Sequence, residues 1–303
     1  MSEPKSAFRC ADAARARADP LAGSAPPARR WLLLEHPGPW KIDAIAGSGI
    51  DADVLSELVQ RAGSATRILL VRRSGRIDRR GSRRWILAGL DSATVTGPWE
   101  DDGDLLDAAD AMIATLPAPT EPPEPVILVC THGVHDVCCA LRGRPVASAL
   151  ASRWPELVWE CTHIGGDRFA PNVVLLPDGF YYGNLDPDDA IATVQAHLAG
   201  TVLTDRLRGM ARFLPPVQAA VIAAHQHYGP LGPSDVTVRA TEHFGPHHGH
   251  GSETFVDLVI EPQQRKVRVH VLSVRRPDAQ LTCRAVRETP ATEYQIIDFS
   301  PML

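Results

Sequence analysis

Lysine is nearly missing from this 303-residue chain: Lys5, Lys41 and Lys266 are the only three, so almost all of its 31 basic residues are arginine. Against 36 acidic residues the formal net charge is −5, and a shortage of positive charge argues against a nucleic-acid coat. No window approaches the roughly 18–20 uninterrupted apolar residues of a membrane helix. The longest runs, such as Val126-Ile-Leu-Val-Cys130, are strand-sized. Nor does an apolar stretch of signal-peptide length follow the charges in residues 1–10. These absences lead to the expectation of a soluble cytoplasmic protein in a reducing compartment. No G-x-G-x-x-G follows a strand and no G-x4-G-K-[ST] occurs, so nucleotide binding has no positive support.

Cysteine is scarce but unevenly placed. Of the six, Cys130, Cys138, Cys139 and Cys161 fall within a short span, whereas Cys10 and Cys283 stand alone and read as small buried apolar residues. Four clustered cysteines are too few for a disulfide framework, and in a reducing cell they point to metal or redox chemistry.

Hydrophobic residues make up 44% of the chain, enough for about two domains at roughly 100–200 residues each. Residues 1–30, rich in Ala, Arg, Pro and Ser, read as loosely ordered or laid over the surface. An α/β unit over 31–116 follows, with strands at 31–35, 67–71 and 84–88 and helices after Asp51 and from Asp104. The run 117–125, with five Pro in nine residues, is a stiff linker. The same order, β-α-β-β-α, then recurs over 126–200, with a hairpin about Pro177-Asp-Gly179 and a helix capped at Asp186. Residues 201–303 read as a small α+β region: helical from 205 to 214 and from 217 to 227 with a break at Pro215-Pro216, then four strands.

The chemistry concentrates in two loops. Cys130-Thr-His-Gly-Val-His-Asp-Val-Cys-Cys139 leaves a strand and enters a helix, whose positive N-terminus favours thiolates and anionic ligands. Glu160-Cys-Thr-His-Ile-Gly-Gly-Asp-Arg168 leaves a second strand, with Cys161, His163 and Asp167 around a glycine turn. Loops at the same end of adjacent strands can meet over one metal centre. Cysteine and histidine together suit an iron–sulfur cluster or zinc.

The pattern C-x8-C, helix, strand, H-x3-D, then Leu176-Pro-Asp-Gly-Phe-Tyr-Tyr-Gly-Asn-Leu185 resembles the thioredoxin-like [2Fe–2S] ferredoxins. With Thr162-His-Ile-Gly-Gly-Asp-Arg-Phe-Ala170, the N-terminal Trp31-Leu-Leu-Leu-Glu-His-Pro-Gly-Pro-Trp40, Leu207-Arg-Gly209 and Pro216-Val-Gln-Ala219, it resembles the sucrase/ferredoxin-like family. The resemblance implies an α/β fold with a thioredoxin-like ferredoxin core, and the repeated element order hints at a second such unit before it. It also implies a [2Fe–2S] cluster, with Cys130, Cys139 and His163 as ligands and position 167 as the fourth. Family members of this kind can carry H-x3-H there, whereas this chain has Asp167, and a carboxylate is a hard ligand for such a cluster. Three outcomes stay open: Asp167 ligates, Cys161 replaces it, or the cluster is lost. Cys138, a residue out of register, should point elsewhere.

The implied function is single-electron transfer to or from a redox partner protein, without catalysis and without nucleic-acid or membrane partners. Its rivals are a thiol–disulfide oxidoreductase using Cys130 with Cys138 or Cys139, disfavoured by the absence of C-x-x-C, and a structural zinc site on Cys130, Cys139, His163 and Asp167. His132 and His135 are either hydrogen-bonding neighbours of the centre or solvated loop residues. Arg168 either offsets cluster charge or pairs with Asp167 or Glu160. The histidine-rich loop 243–250 reads as a metal site or an exposed loop. The arginines between 72 and 84 read as a docking surface or a solvated hairpin rim. Glycoside hydrolysis finds no recognisable carboxylate pair at strand ends.

Overall fold

The structure, a computed structural model, describes residues 8–75, 82–90, 92–116, 118–121, 123–246 and 251–302. Its first central strand follows from an apolar run with no polar interruption. Trp31-Leu-Leu-Leu34 is fully buried within β1 (Arg30–Glu35), as suits a strand covered on both faces. Asp51 accepts hydrogen bonds from the amides of Asp53 and Val54 and so caps α2 (Ala52–Ala62). β2 (Thr66–Arg72) then runs parallel to β1, and β3 (Arg83–Gly89) lies antiparallel on its other side. β4 (Ser92–Trp99) pairs with β3, and α3 (Leu105–Ile113) completes the unit.

The second unit repeats this path. β5 (Val126–Cys130), buried throughout, leads to α4 (Val137–Arg153) and to β6 (Val158–Cys161), parallel to β5. β7 (Val173–Leu176) pairs antiparallel with β5, β8 (Phe180–Tyr182) with β7, and α5 (Pro187–Leu198) follows. Strand order is β4-β3-β1-β2 in the first half and β6-β5-β7-β8 in the second. Each half is therefore β-α-β-β-β-α with its first strand interior, the thioredoxin-like connectivity that the resemblance implied. The strand missing from the sequence reading of the first half is β4, a partly polar edge strand whose alternation is interrupted by Gly97 and Pro98.

The halves join where β2 meets β6 antiparallel, Val71 opposite Cys161 and Arg72 opposite Glu160. The result is one nine-stranded sheet, extended beyond β8 by β9 (Leu207–Met210). The sequence reading expected a helix over 205–214. The chain instead forms a fully buried strand here, and Gly209 at φ 148° takes a conformation closed to a helix. Pro215 and Pro216, expected to break a helix, open α6 (Pro215–Tyr228), where a missing N–H costs nothing.

The C-terminal strands form a separate antiparallel sheet: β10 (Val236–Phe244), β11 (Ser252–Ile260), β12 (Arg265–Ala279) and β13 (Thr289–Pro301). Alternate residues Val256, Leu258 and Ile260 of β11 and Val267, Val269 and Val271 of β12 are buried in one core with Val217, Ala220, Val221 and Ala224 of α6. Each such aliphatic side chain contributes about 1.5–3 kcal/mol on full burial.

The N-terminal segment differs from its expected looseness. Residues 10–16 form α1 (Cys10–Ala16), with Cys10, Ala11 and Ala14 buried beside Cys138 and Ala170. Its alanines, read as low-complexity composition, are the small face that lets this helix lie close against the turn at 167–169. Among the described residues no helix is long and apolar enough to cross a membrane.

Candidate metal centre

Cys130 and Cys161 end the parallel strands β5 and β6 as Cα partners, so both chemistry-bearing loops leave the sheet side by side. After β5, Asp136 accepts from the amide of Cys138 and starts α4, which puts Cys139 in its first turn. α4 approaches β5 so closely that a Cβ on Gly143 would overlap the carbonyl oxygen of Cys130. After β6, Gly165 and Gly166 (φ 92° and 82°) turn the chain so that Asp167 comes back toward His163. The turn is held by Arg208 of β9, which is buried and donates to Gly165 O at 2.9 Å, Asn172 Oδ1 at 2.7 Å and Ser24 O at 2.5 Å. Asn172 Nδ2 in turn donates to Gly166 O at 2.8 Å.

The donor atoms of Cys130, Cys139 and His163 lie within 4.8 Å of one another. A second group, His135, His163 and Asp167, shares His163 with the first and is equally tight. Cys139 Sγ lies 3.3 Å from Asp167 Oδ1, and His163 Nδ1 lies 3.0 Å from the same oxygen. That Nδ1 is buried yet has no aligned hydrogen bond, so its contact with Asp167 is charge pairing, and the ring keeps unspent capacity of the kind an ion satisfies. Cys161 belongs to neither donor group among the described residues; its thiol is buried with the apolar side chains beneath the site.

The electrostatics divide the two thiols Cys130 and Cys139. Cys139 hydrogen-bonds to Cys130 and, with His163, draws the Cys130 thiol well below its ordinary pKa despite complete burial. Cys139 goes the other way, raised by that same bond, by burial and by the nearby Cys130 and Asp167 charges. Burial alone would lower His163, but its contacts with Asp167 and Cys130 outweigh this and carry it to about 9. Asp167, which burial would raise, is lowered by His163 and Cys139. Thiolate, imidazolium and carboxylate are thus gathered in mutually stabilising charge states.

Of the two readings offered for His132 and His135, ordered neighbours of the centre fit better than solvated loop residues. His132 is buried and bonds through Nε2 to Lys41 O at 2.8 Å, which ties the loop after β1 onto the loop after β5. His135 stacks on His163 with ring centroids 4.0 Å apart. Its membership of the second donor group is the feature that sequence reasoning missed, since only the loop's fold brings residue 135 to residue 163. The thiols are buried, whereas His135 and His163 line a cleft of about 480 Å³ together with Ile42, Arg67 and Leu69.

Of the other expected roles, Arg168 pairs with Asp19 at 3.4 Å and lies over Phe169; it makes no ion pair with Asp167 or Glu160 among the described residues. Glu160 is held by Arg72 at 2.9 Å and by the Thr131 hydroxyl. In the arginine-rich stretch, residues 76–81 lie outside the described residues. Arg72, Arg73, Arg83 and Arg84 stack on Trp40, Trp159, Trp99 and Trp159 respectively. Residues 247–250 of the histidine-rich loop also lie outside the described residues, and His243 bonds to the Thr254 hydroxyl.

Among solved structures, a variant of the thioredoxin-like [2Fe–2S] ferredoxin from Aquifex aeolicus is similar to this chain at 23% identity. The match covers 28% of this chain and 97% of that one, with a TM-score of 0.25. No curated protein matches the chain. Residues 21–209 match the sucrase/ferredoxin-like family. This stretch is more than half of the chain and contains Arg208 and both loops of the candidate centre. The protein belongs to the sucrase/ferredoxin-like family.

Proposed function

We propose that this protein is an electron carrier whose [2Fe–2S] cluster is held in the second thioredoxin-like unit by Cys130, Cys139 and His163, with Asp167 completing the set. The observation that carries this reading is the pair of donor groups sharing His163: two buried thiols on one side, imidazole and carboxylate on the other. Such a cluster, when bound, supplies a one-electron couple tuned by its ligands and their hydrogen bonds.

The chain's own residues favour that use. His163 draws Cys130 toward thiolate, the form that ligates iron. Asp167 is positioned either to ligate or to fix the His163 ring, the role carboxylates play beside many ligand histidines. His135 stands as a further candidate for the fourth position, by its place in the second group. Cys161 is disfavoured by its absence from both groups. The histidine side faces the cleft, so a redox partner protein docking there would meet the imidazole edge while the thiols stay shielded.

A second reading, a zinc ion on Cys130, Cys139, His163 and Asp167, is favoured by the tightness of the first donor group, which suits ligands around one ion, and by the oxygen donor. An anaerobic preparation grown with ample iron separates the two. A brown protein whose visible absorbance is bleached by dithionite supports the carrier. A colourless, zinc-loaded protein overturns it.

A further inference from the structure

Four cysteines lie outside the ligand set proposed above, and the fold brings three of them, Cys10, Cys138 and Cys283, to one point. Cys10 opens α1, Cys138 lies in the first turn of α4, and Cys283 belongs to the segment between β12 and β13. Their sulfur atoms and a carboxylate oxygen of Asp136 lie within 4.8 Å of one another. Cys138 Sγ and Cys283 Sγ are 3.5 Å apart, and Cys10 Sγ is 3.6 Å from both oxygens of Asp136. Four thiolates at about 2.3 Å from one zinc ion would stand roughly 3.8 Å from each other, so this spacing is that of ligands around a single tetrahedral ion. Asp136 is aimed by two backbone amides, Cys138 N at 2.9 Å and Cys283 N at 2.7 Å.

We infer that Cys10, Cys138, Cys283 and Asp136 form a second metal site, specific for a thiophilic divalent cation of the zinc type.

Charge and burial both support it. Asp136, Cys10 and Cys138 are each no more than 1% exposed, and among the described residues Asp136 has no ion-pair partner. A buried carboxylate without a counter-charge is costly, and the N-terminus of α4 offers only a partial positive charge. A divalent cation would complete the balance, with soft thiolates selecting zinc over magnesium or calcium. With four protein donors, the ion would be structural. It would clamp the first helix, the ligand-bearing helix α4 and the C-terminal sheet together, one residue away from Cys139.

The site stands independently of the electron-carrier reading, and the test keeps the two apart. Full-length protein purified under reducing conditions with zinc and iron supplied should hold about one zinc per chain after dialysis against a chelator. C130S/C139S, which removes the thiols of the first centre, should keep that zinc. C10S/C283S should lose it and keep any visible iron chromophore. With Co²⁺ as probe, C130S/C139S should give a thiolate-to-cobalt charge-transfer band that falls by about a third when C283S is added. If C10S/C283S does not fold, the cobalt spectrum of C130S/C139S decides alone. Undiminished zinc in C10S/C283S, no charge-transfer band in C130S/C139S, or a Cys138–Cys283 disulfide in place of bound metal would overturn the inference.

Discussion

Cys139 Sγ and Asp167 Oδ1 meet at 3.3 Å across 28 residues of sequence, joining the first turn of α4 to the loop after β6. The carboxylate that departs from the family pattern therefore touches a thiol and, through the same oxygen, a ring nitrogen of His163.

Removing that carboxylate should show in the metal. Asp167→Ala should weaken metal retention by roughly 10–100-fold, the range for losing a ligand-orienting partner, and should shift the visible and EPR spectra. Cys161→Ala should leave both spectra unchanged, because its thiol lies among apolar side chains. Identical spectra for both variants would show that neither residue belongs to the centre.

The potential should be high for a ferredoxin. A neutral imidazole leaves the core less negative than a thiolate does, so the midpoint should lie nearer the Rieske range of roughly −150 to +300 mV than the plant-type value of about −400 mV. Where the free ring nitrogen of His163 titrates, the midpoint should fall with rising pH, approaching about −59 mV per unit for one proton per electron. Potentiometry from pH 6 to 10 checks both; a pH-independent value near −400 mV would refute histidine ligation.

Arg208 reaches the site indirectly, through Gly165 O and through the Asn172 side chain that holds Gly166 O. Arg208→Met would leave Gly165 O, Ser24 O and Asn172 Oδ1 without their donor, at a cost of about 3 kcal/mol. A lower denaturation midpoint and faster loss of bound metal are expected. Arg208→Lys should recover part of the stability and little of the turn geometry, since an ammonium cannot reproduce the guanidinium fork.

Acid should weaken the fold at His225. This residue of α6 is buried with no partner on either ring nitrogen, and burial lowers its pKa to about 4. Between pH 4 and 6.5 the unfolded chain binds the extra proton, so stability is full above about 6.5 and declines as pH falls toward 4. The loss is on the order of 3 kcal/mol for a shift of that size. Urea midpoints measured across this range should show the decline, and His225→Leu should flatten it.

Much of this was legible in advance because apolar runs and turn residues act locally. Trp31–Leu34, Val126–Cys130, the Pro177-Asp-Gly179 hairpin and the Asp51 and Asp186 caps each fixed an element within a few residues. The two loops at the ends of β5 and β6 stood out by their clustered cysteines and histidines, and the family resemblance singled out Cys130, Cys139 and His163 within them. What lay beyond reach depends on contacts between distant segments: β4 draws its pairing from β3, β9 from β8, and His135 its relation to His163 from the path of a loop. The grouping of Cys10 with Cys283 spans 273 residues, and no periodicity encodes such a meeting.

The antiparallel seam between β2 and β6 has a practical consequence. Two topologically matched copies sit in one chain, yet residues 31–116 contain no cysteine. The strand end that matches Cys130 is Glu35, and the loop beyond it reaches over to cap His132. The second unit carries the candidate metal centre, and the first lays the loop after β1 over it. Exchanges within 36–50 can therefore adjust how much water reaches the imidazole edge without altering a single donor atom.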